Sequence, residues 1–315
     1  MIDQSGIYNL SPSQYHADPC PQPALTSSCA KLLNSKSPIH AWHAHPRLNT
    51  RGQKTGNAQM DFGALAHAKL LGVGEFRILP YNDFRKKAAQ EERDQCYSEG
   101  LIPVLEQHAE KADHVVRALK SQLKNHEQAS DAFRGGQYEQ AIVWYEEKYD
   151  IWCRALIDHV SPQDWLEDYK TTSGGADPDS WSKRLFTDGY DIQAALYLRG
   201  WEKVTGEKRN FRFVVQEVDE PPYCASVIAP DNYALQQADE KIEEAMELWA
   251  HCLHEDNWPG YANHICWATP PKFKDDQWEQ HKFQKKNLEN QGLDIKKLML
   301  AMQAPLSPAP SQNAQ

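Results

Sequence analysis

Asp158, Asp168 and Lys170 are the residues whose types and spacing most directly carry chemistry in this chain. The two acids lie ten residues apart on either side of Ser161-Pro162-Gln163-Asp164, and the lysine follows the second acid by two. Proline presets a turn φ and Asp supports local side-chain bonds, so the tetrapeptide predicts a hairpin turn. Strand side chains alternate faces, which puts Asp168 and Lys170 on one side, with Asp158 approaching from the partner strand. Two carboxylates and an ammonium around one point suit a hard divalent cation, Mg²⁺ or Mn²⁺, bound beside a phosphate. The expected reaction is phosphodiester hydrolysis: the cation polarises the phosphate, and Lys170 orients the attacking water or neutralises developing charge. The backbone carbonyl of Tyr169 is a further candidate ligand. Asp-x-Lys is very common, and taken alone it describes an exposed strand end whose charges pair with each other better than it describes an active site.

The elements that must hold these residues can be read from periodicity. Apolar and polar residues alternate between 139 and 172, which predicts several antiparallel strands, and FRFVVQEV at 211–218 adds another. The run DFGALAHAKLL at 61–71 has apolar residues at helical spacing and small residues between them, predicting a buried helix. Two or three helices are expected across 85–130, with Leu101, Val104, Leu105, Val115, Val116, Leu119 and Leu123 as their apolar stripe, ended by Arg134-Gly135-Gly136. A loop at 173–179 precedes a helix over 190–199. A long core-facing helix over 232–254 carries Leu235, Ala238, Ile242, Ala245, Met246, Trp249 and Leu253. The first 60 residues predict short helices near 27–33 and 39–44, with Ser11-Pro12 and Ser37-Pro38 as helix starts.

At 315 residues, with 40% hydrophobic and 25% charged residues, the chain has an ordinary globular balance. The first residues lack a basic segment followed by an apolar one, and no run approaches the roughly 18 apolar residues of a membrane span. A soluble, cytoplasmic protein is expected. Seven scattered cysteines without a CxxC pair predict reduced thiols and no iron–sulfur cluster. The net charge of −10 opposes nucleic-acid binding in bulk, so a DNA substrate requires a local basic groove and the charge of a metal. Arg85-Lys86-Lys87 and Lys183-Arg184 are the best basic clusters, the latter in an expected loop, where Trp181 could stack on an unpaired base.

The order of motifs resembles the RecE-type exonuclease (exonuclease VIII) nuclease domain, a branch of the PD-(D/E)XK superfamily similar to the RecB nuclease module. The likeness spans roughly residues 10–274 and runs through SPSQYHADPC, ALTSSCAKLLNSKSPIHAWHAHP, FGALAHAKLL, GGQYEQAIVWY, CRALIDHV, EDYKTT and GYDIQAALYLRG. It implies an α/β fold with a mixed central sheet flanked by helices. It also implies His67 as the histidine completing a metal shell with Asp158, Asp168 and Tyr169, and Glu139 as a supporting acid. Gln193 and Tyr197 resemble a QxxxY pair that positions DNA; four residues apart on a helix, they share a face, which Tyr190 extends. One departure is that relatives usually carry an Arg-Pro-Asp run before the hairpin turn where this chain has Ala155-Leu156-Ile157-Asp158, so the acid is kept but its neighbours differ.

The implied function is a Mg²⁺- or Mn²⁺-dependent exonuclease of phage or prophage type. It would resect linear double-stranded DNA ends 5′ to 3′ for recombination, as a ring-shaped homo-oligomer feeding a single-strand annealing protein or recombinase. The competing readings are a non-catalytic DNA-binding recombination-accessory protein and a structure-specific endonuclease on the same fold. The expected organisation is a helical and loop segment at 1–60 packed on a nuclease core at 61–280, an extension at 281–303 and a disordered tail at 304–315.

Overall fold

The computed structural model describes residues 1–49, 58–292 and 296; the expected tail at 304–315 lies outside the described residues. Two units are formed, Met1–Tyr261 and the remainder from Ala262. In the first unit the elements run β1 (Gly6–Tyr8), α1 (Pro12–His16), α2 (Ser27–Ser35), α3 (Pro38–Ala44), α4 (Ala58–Leu71), β2 (Phe76–Leu79), α5 (Lys87–Ser98), β3 (Ile102–Leu105) and α6 (Glu106–Lys124). They continue with β4 (Gln137–Glu146), β5 (Ile151–Val160), β6 (Trp165–Thr172), α7 (Pro178–Thr187), α8 (Tyr190–Thr205), β7 (Asn210–Glu217), β8 (Ala225–Ile228) and α9 (Asn232–Glu255). The second unit contributes α10 (Lys272–Asn290), which has no buried residue. Among the described residues, no helix is long and apolar enough to cross a membrane.

Six strands form a sheet in the order β1-β4-β5-β6-β7-β8; β6 and β7 run parallel and every other pair antiparallel. The mixed sheet with helices on both faces is the α/β architecture that the sequence predicts. On one face Ile142, Trp144, Ile157, Phe211 and Phe213 pack with residues of α2, α7, α8 and α9. On the other, Tyr169 and Val214 meet Ala66 and Leu70 of α4 and Val116, Leu119 and Leu123 of α6. Because both faces are covered, β5 and β7 are buried along nearly their whole length, polar Arg154, His159, Arg212 and Gln216 included. Helix α8 lies close to β4 because Gly200 offers no Cβ: one built there would stand 2.6 Å from Trp144.

Local chemistry sets the helix starts. Ser11 and Gln14 form a reciprocal capping box at α1, and Thr26 accepts from Cys29 N at α2. Ser37 precedes α3 without capping it, its hydroxyl instead meeting His40 Nδ1 at 2.7 Å.

The structure corrects the reading of 85–130 as helices alone. Residues Ile102–Leu105 form a strand parallel to β2, a second small sheet that places Val104 and Leu105 beside α4 rather than on a helical stripe. Helix α6 stops at Lys124, and turns rather than helix lead to Gly135-Gly136. Strands β1 and β8, each of three or four residues, are too short to show a period.

Candidate active site

Strands β5 and β6 pair only at His159–Glu167 and Val160–Leu166 before they diverge. Asp158 fills the opening, its Oδ2 accepting a hydrogen bond from the Tyr169 backbone N–H at 2.9 Å. One residue before Tyr169 on β6, Asp168 lies 2% exposed, with Lys170 Nζ 2.5 Å from its Oδ1. The side chain of Gln193, from α8, donates through Nε2 to Asp168 Oδ2 at 2.5 Å. From the opposite side α4 delivers His67, whose Nε2 stands 2.7 Å from Asp158 Oδ2 and whose Nδ1 is 3.9 Å from Glu139 Oε1.

Glu139 enters the site through an uncommon backbone. Its φ of 47° is left-handed, and the β4–β5 ladder passes from Tyr138–His159 to Gln140–Ile157 without it. Such a conformation in a non-glycine residue costs on the order of 1–3 kcal/mol, a strain that clusters at functional sites.

The two aspartates titrate in opposite directions. Burial alone would raise Asp158, but the charge and hydrogen bond of His67, with Lys170 and the Tyr169 N–H, hold it below the ordinary carboxylate range. Burial and the neighbouring Asp158 charge push Asp168 up to about 6 despite Lys170. Desolvation also works against charge on His67 and Lys170, yet Asp158 for the first and Asp168 for the second keep both raised. Burial raises Glu139 as well. His67 and Lys170 are thus the basic partners that face the two carboxylates.

Accordingly, among the described residues no three His, Cys, Asp or Glu side chains stand as a ready-made metal cage. The donor chemistry nevertheless fits a hard divalent ion. Asp158 and Asp168 supply oxygens from adjacent strands, with Asp168 Oδ1 facing the Lys170 ammonium at 2.5 Å. His67 is a competent further ligand once neutral. Two cavities of about 1180 and 1150 Å³ meet here, the first reaching His67 and Glu139, the second Asp158, Asp168 and Gln193; Lys170 lines both.

Residues 28–268 match the family described as a PDDEXK-like domain of unknown function (DUF3799). The chain belongs to this family. Its fold is shared with a protein from Eubacterium rectale described as a candidate exonuclease, at 14% identity and a TM-score of 0.56, over 85% of this chain and 98% of that one. A phage-related exonuclease from Haemophilus somnus 129PT is also similar, at 16% identity and a TM-score of 0.30, over 62% of this chain and 96% of that one. No curated protein matches the chain by sequence.

Within the PDDEXK-like fold, His67, Glu139, Asp158, Asp168, Lys170 and Gln193 come together, whereas Ala155 and Ile157 are fully buried in packing and Leu156 lines both cavities. Tyr197 lies one turn beyond Gln193 but is only 8% exposed, edge-on to Phe211, and reaches solvent through the second cavity. The side chain of Tyr169 donates to Gln216 at 2.7 Å, leaving its main chain beside the acids.

Lys183 and Arg184 lie on helix α7, not in the expected loop, because Asp177 caps that helix and Pro178 starts it. Arg184 is committed to Thr172 and Asp188, while Lys183 is exposed. Trp181 cannot stack on a base as expected; it is 1% exposed and stacked on Tyr190. The Arg85-Lys86-Lys87 cluster precedes and begins α5, with Arg85 and Lys87 paired to Asp83 and Glu91.

Sequence reasoning missed Lys31, on α2. Its Nζ is 3.4 Å from Gln193 Oε1 and 4.4 Å from the centre of the Tyr190 ring. Burial, reinforced by the charge of Lys170, lowers its pKa to about 8. Nothing in the spacing of α2 marks this lysine; only the docking of α2 on α8 brings it here. The buried set of His159 on β5, Glu167 on β6 and Arg212 on β7 was equally invisible. His159 Nδ1 lies 2.6 Å from Glu167, whose other oxygen accepts from Arg212 Nε at 2.8 Å.

Proposed function

We propose that this protein is a divalent-metal-dependent deoxyribonuclease that hydrolyses phosphodiester bonds at the ends of linear double-stranded DNA. The observation that carries the reading is the gathering of Asp158, Asp168, Lys170, His67 and Glu139 where β5 and β6 part, in a PDDEXK-like fold, at the junction of two cavities. Asp158 and Asp168 hold the cation, Mg²⁺ or Mn²⁺, with His67 and the Tyr169 carbonyl as further ligands. The bound cation supplies Lewis-acid charge at the scissile phosphate.

The chain's own groups do the rest. Lys170, already beside Asp168, orients the attacking water and offsets charge that grows on the phosphate oxygens. Glu139, with its raised affinity for protons, is placed to take a proton as the water oxygen bonds to phosphorus. The opposite P–O bond breaks and its oxygen leaves with a proton from solvent. Gln193 holds Asp168 in register. Lys183 belongs to the approach surface for DNA, and Arg184 and Tyr197 support the walls around it.

Action on ends, rather than within closed DNA, is supported by the description of the Eubacterium rectale relative as a candidate exonuclease. A 5′ to 3′ direction, a homo-oligomeric ring and an annealing partner follow from the resemblance of the motifs to RecE-type enzymes.

The test uses 5′-labelled linear duplex and closed circular DNA with Mg²⁺ or with EDTA. Wild type should degrade the linear duplex only with Mg²⁺, and Lys170→Ala should lower the rate by at least about 10²-fold, the usual cost of removing one preorganised charge-stabilising group. Activity that survives both EDTA and the substitution would remove the mechanism. Binding without cleavage by wild type would favour a DNA-binding accessory role, and cutting of closed circles an endonuclease.

A further inference from the structure

Gln193 makes two polar contacts that depend on which way its amide faces. Nε2 donates to Asp168 Oδ2, and Oε1 lies 3.4 Å from Lys31 Nζ. With the amide reversed, its carbonyl would oppose the Asp168 carboxylate and its NH₂ would oppose the ammonium. Lys31 therefore selects one of two orientations of a side chain that is only 6% exposed.

The lysine is itself held in place. Its stem crosses Gly189, the residue before α8, where a built Cβ would come within 2.9 Å of Lys31 Cγ. Gly189 has a φ of 69°, so glycine serves both the backbone and the crossing. The ammonium rests over the ring of Tyr190, which stacks on Trp181 with centroids 5.0 Å apart. This is an unfavourable place for a cation, at the N-terminal end of a helix and near Lys170. Asp168, Asp188 and Asp191 offset part of that cost, and the contact with Gln193 is the ordered work the charge performs.

We propose that Lys31 is a positioning residue for the metal site: by fixing the Gln193 amide it holds Asp168 Oδ2, and with it the orientation of the carboxylate whose Oδ1 Lys170 meets at 2.5 Å. Lys31 does not touch the reacting atoms in this scheme. The inference rests on the metal-dependent reading above and extends it to a residue on a separate helix.

The experiment titrates Mn²⁺ by calorimetry into DNA-free wild type, Lys31→Met, Lys31→Arg, Gln193→Met and the Lys31→Met/Gln193→Met double variant. Melting curves confirm that each is folded; methionine keeps the apolar stem over Gly189. Loss of a hydrogen-bonding partner behind a ligand typically weakens metal binding by about 10–100-fold. Lys31→Met should therefore weaken Mn²⁺ binding by about tenfold, and Lys31→Arg should recover most of it. The decisive result is the double variant, which should bind no more weakly than Gln193→Met alone, since Lys31 acts through that amide. Multiplying effects, or wild-type affinity in Lys31→Met, would overturn the inference while leaving the metal reading intact. Wild type that binds no Mn²⁺ would overturn both.

Discussion

Asp158 and Asp168 approach the same point from neighbouring strands, yet one holds its proton less tightly than an ordinary carboxyl and the other more tightly. The difference is in partners: His67 and a backbone N–H serve Asp158, while Asp168 is deeper and bears the repulsion of Asp158. A raised carboxyl pKa means that a cation must displace a proton from Asp168 below about pH 6. His67, also raised, must lose its proton before it can ligate. Both signs run the same way, so Mn²⁺ affinity should fall as pH drops through about 6 and metal binding should release protons. Calorimetry in two buffers of different ionisation enthalpy measures that release; affinity that rises on acidification would contradict it. At this scale Asp158, Asp168 and Lys170 were legible because a two-residue strand period and a proline turn are local properties. Lys31 was not, because its relation to Gln193 spans 162 positions of sequence.

The elements matter through how they abut. Helix α8 carries Gln193 to the sheet, and its approach depends on Gly200 lying against Trp144 and Ile142. Gly200→Ala should lower stability by about 1–3 kcal/mol, the usual range for overpacking a filled core, and a melting scan reads the loss. Strand β6 is tied to its two neighbours through its own Glu167, fully buried between His159 of β5 and Arg212 of β7. Removing one member of a buried charge pair typically costs about 3–5 kcal/mol. Glu167→Ala should fall at the lower end, since Asp131 stands 3.2 Å from Arg212 and retains part of the compensation. Denaturant unfolding at neutral pH tests this, and an unchanged midpoint would show that the pair is not what fixes β6. Long periodic elements such as α4, α6 and α9 were legible for the reason that stripes are: burial on one side repeats every turn. Strands β2 and β3 were hidden by their four-residue length, and Leu101, Val104 and Leu105 satisfied a helical spacing by coincidence.

For the whole molecule, the net charge of −10 sets the terms on which DNA can approach. Phosphate binding needs local positive charge, and the site's own basic side chains, Lys170 and His67, are engaged by Asp168 and Asp158. A divalent ion should therefore be needed for binding as well as chemistry. Fluorescence anisotropy with labelled duplex should show affinity at least about tenfold higher in Ca²⁺ than in EDTA. Ca²⁺ fills oxygen sites with looser geometry than Mg²⁺, so cleavage should stay low. Equal affinity in EDTA would place the main DNA contacts away from the acids.

By itself the sequence determined the strand-turn-strand unit, the placement of Asp168 and Lys170 on one face and the helix bearing His67, because each follows from periods of two or 3.6 residues and from turn chemistry along a short stretch of chain; the α/β class came with the resemblance of its motifs to a known family. Only the tertiary structure decided that β5 and β6 part to admit the Asp158 carboxylate, that Glu139 turns left-handed toward His67, that Lys183 and Arg184 ride on a helix, and that Lys31 faces Gln193. Those outcomes depend on which surfaces are left to bury against one another, and no local pattern records that choice.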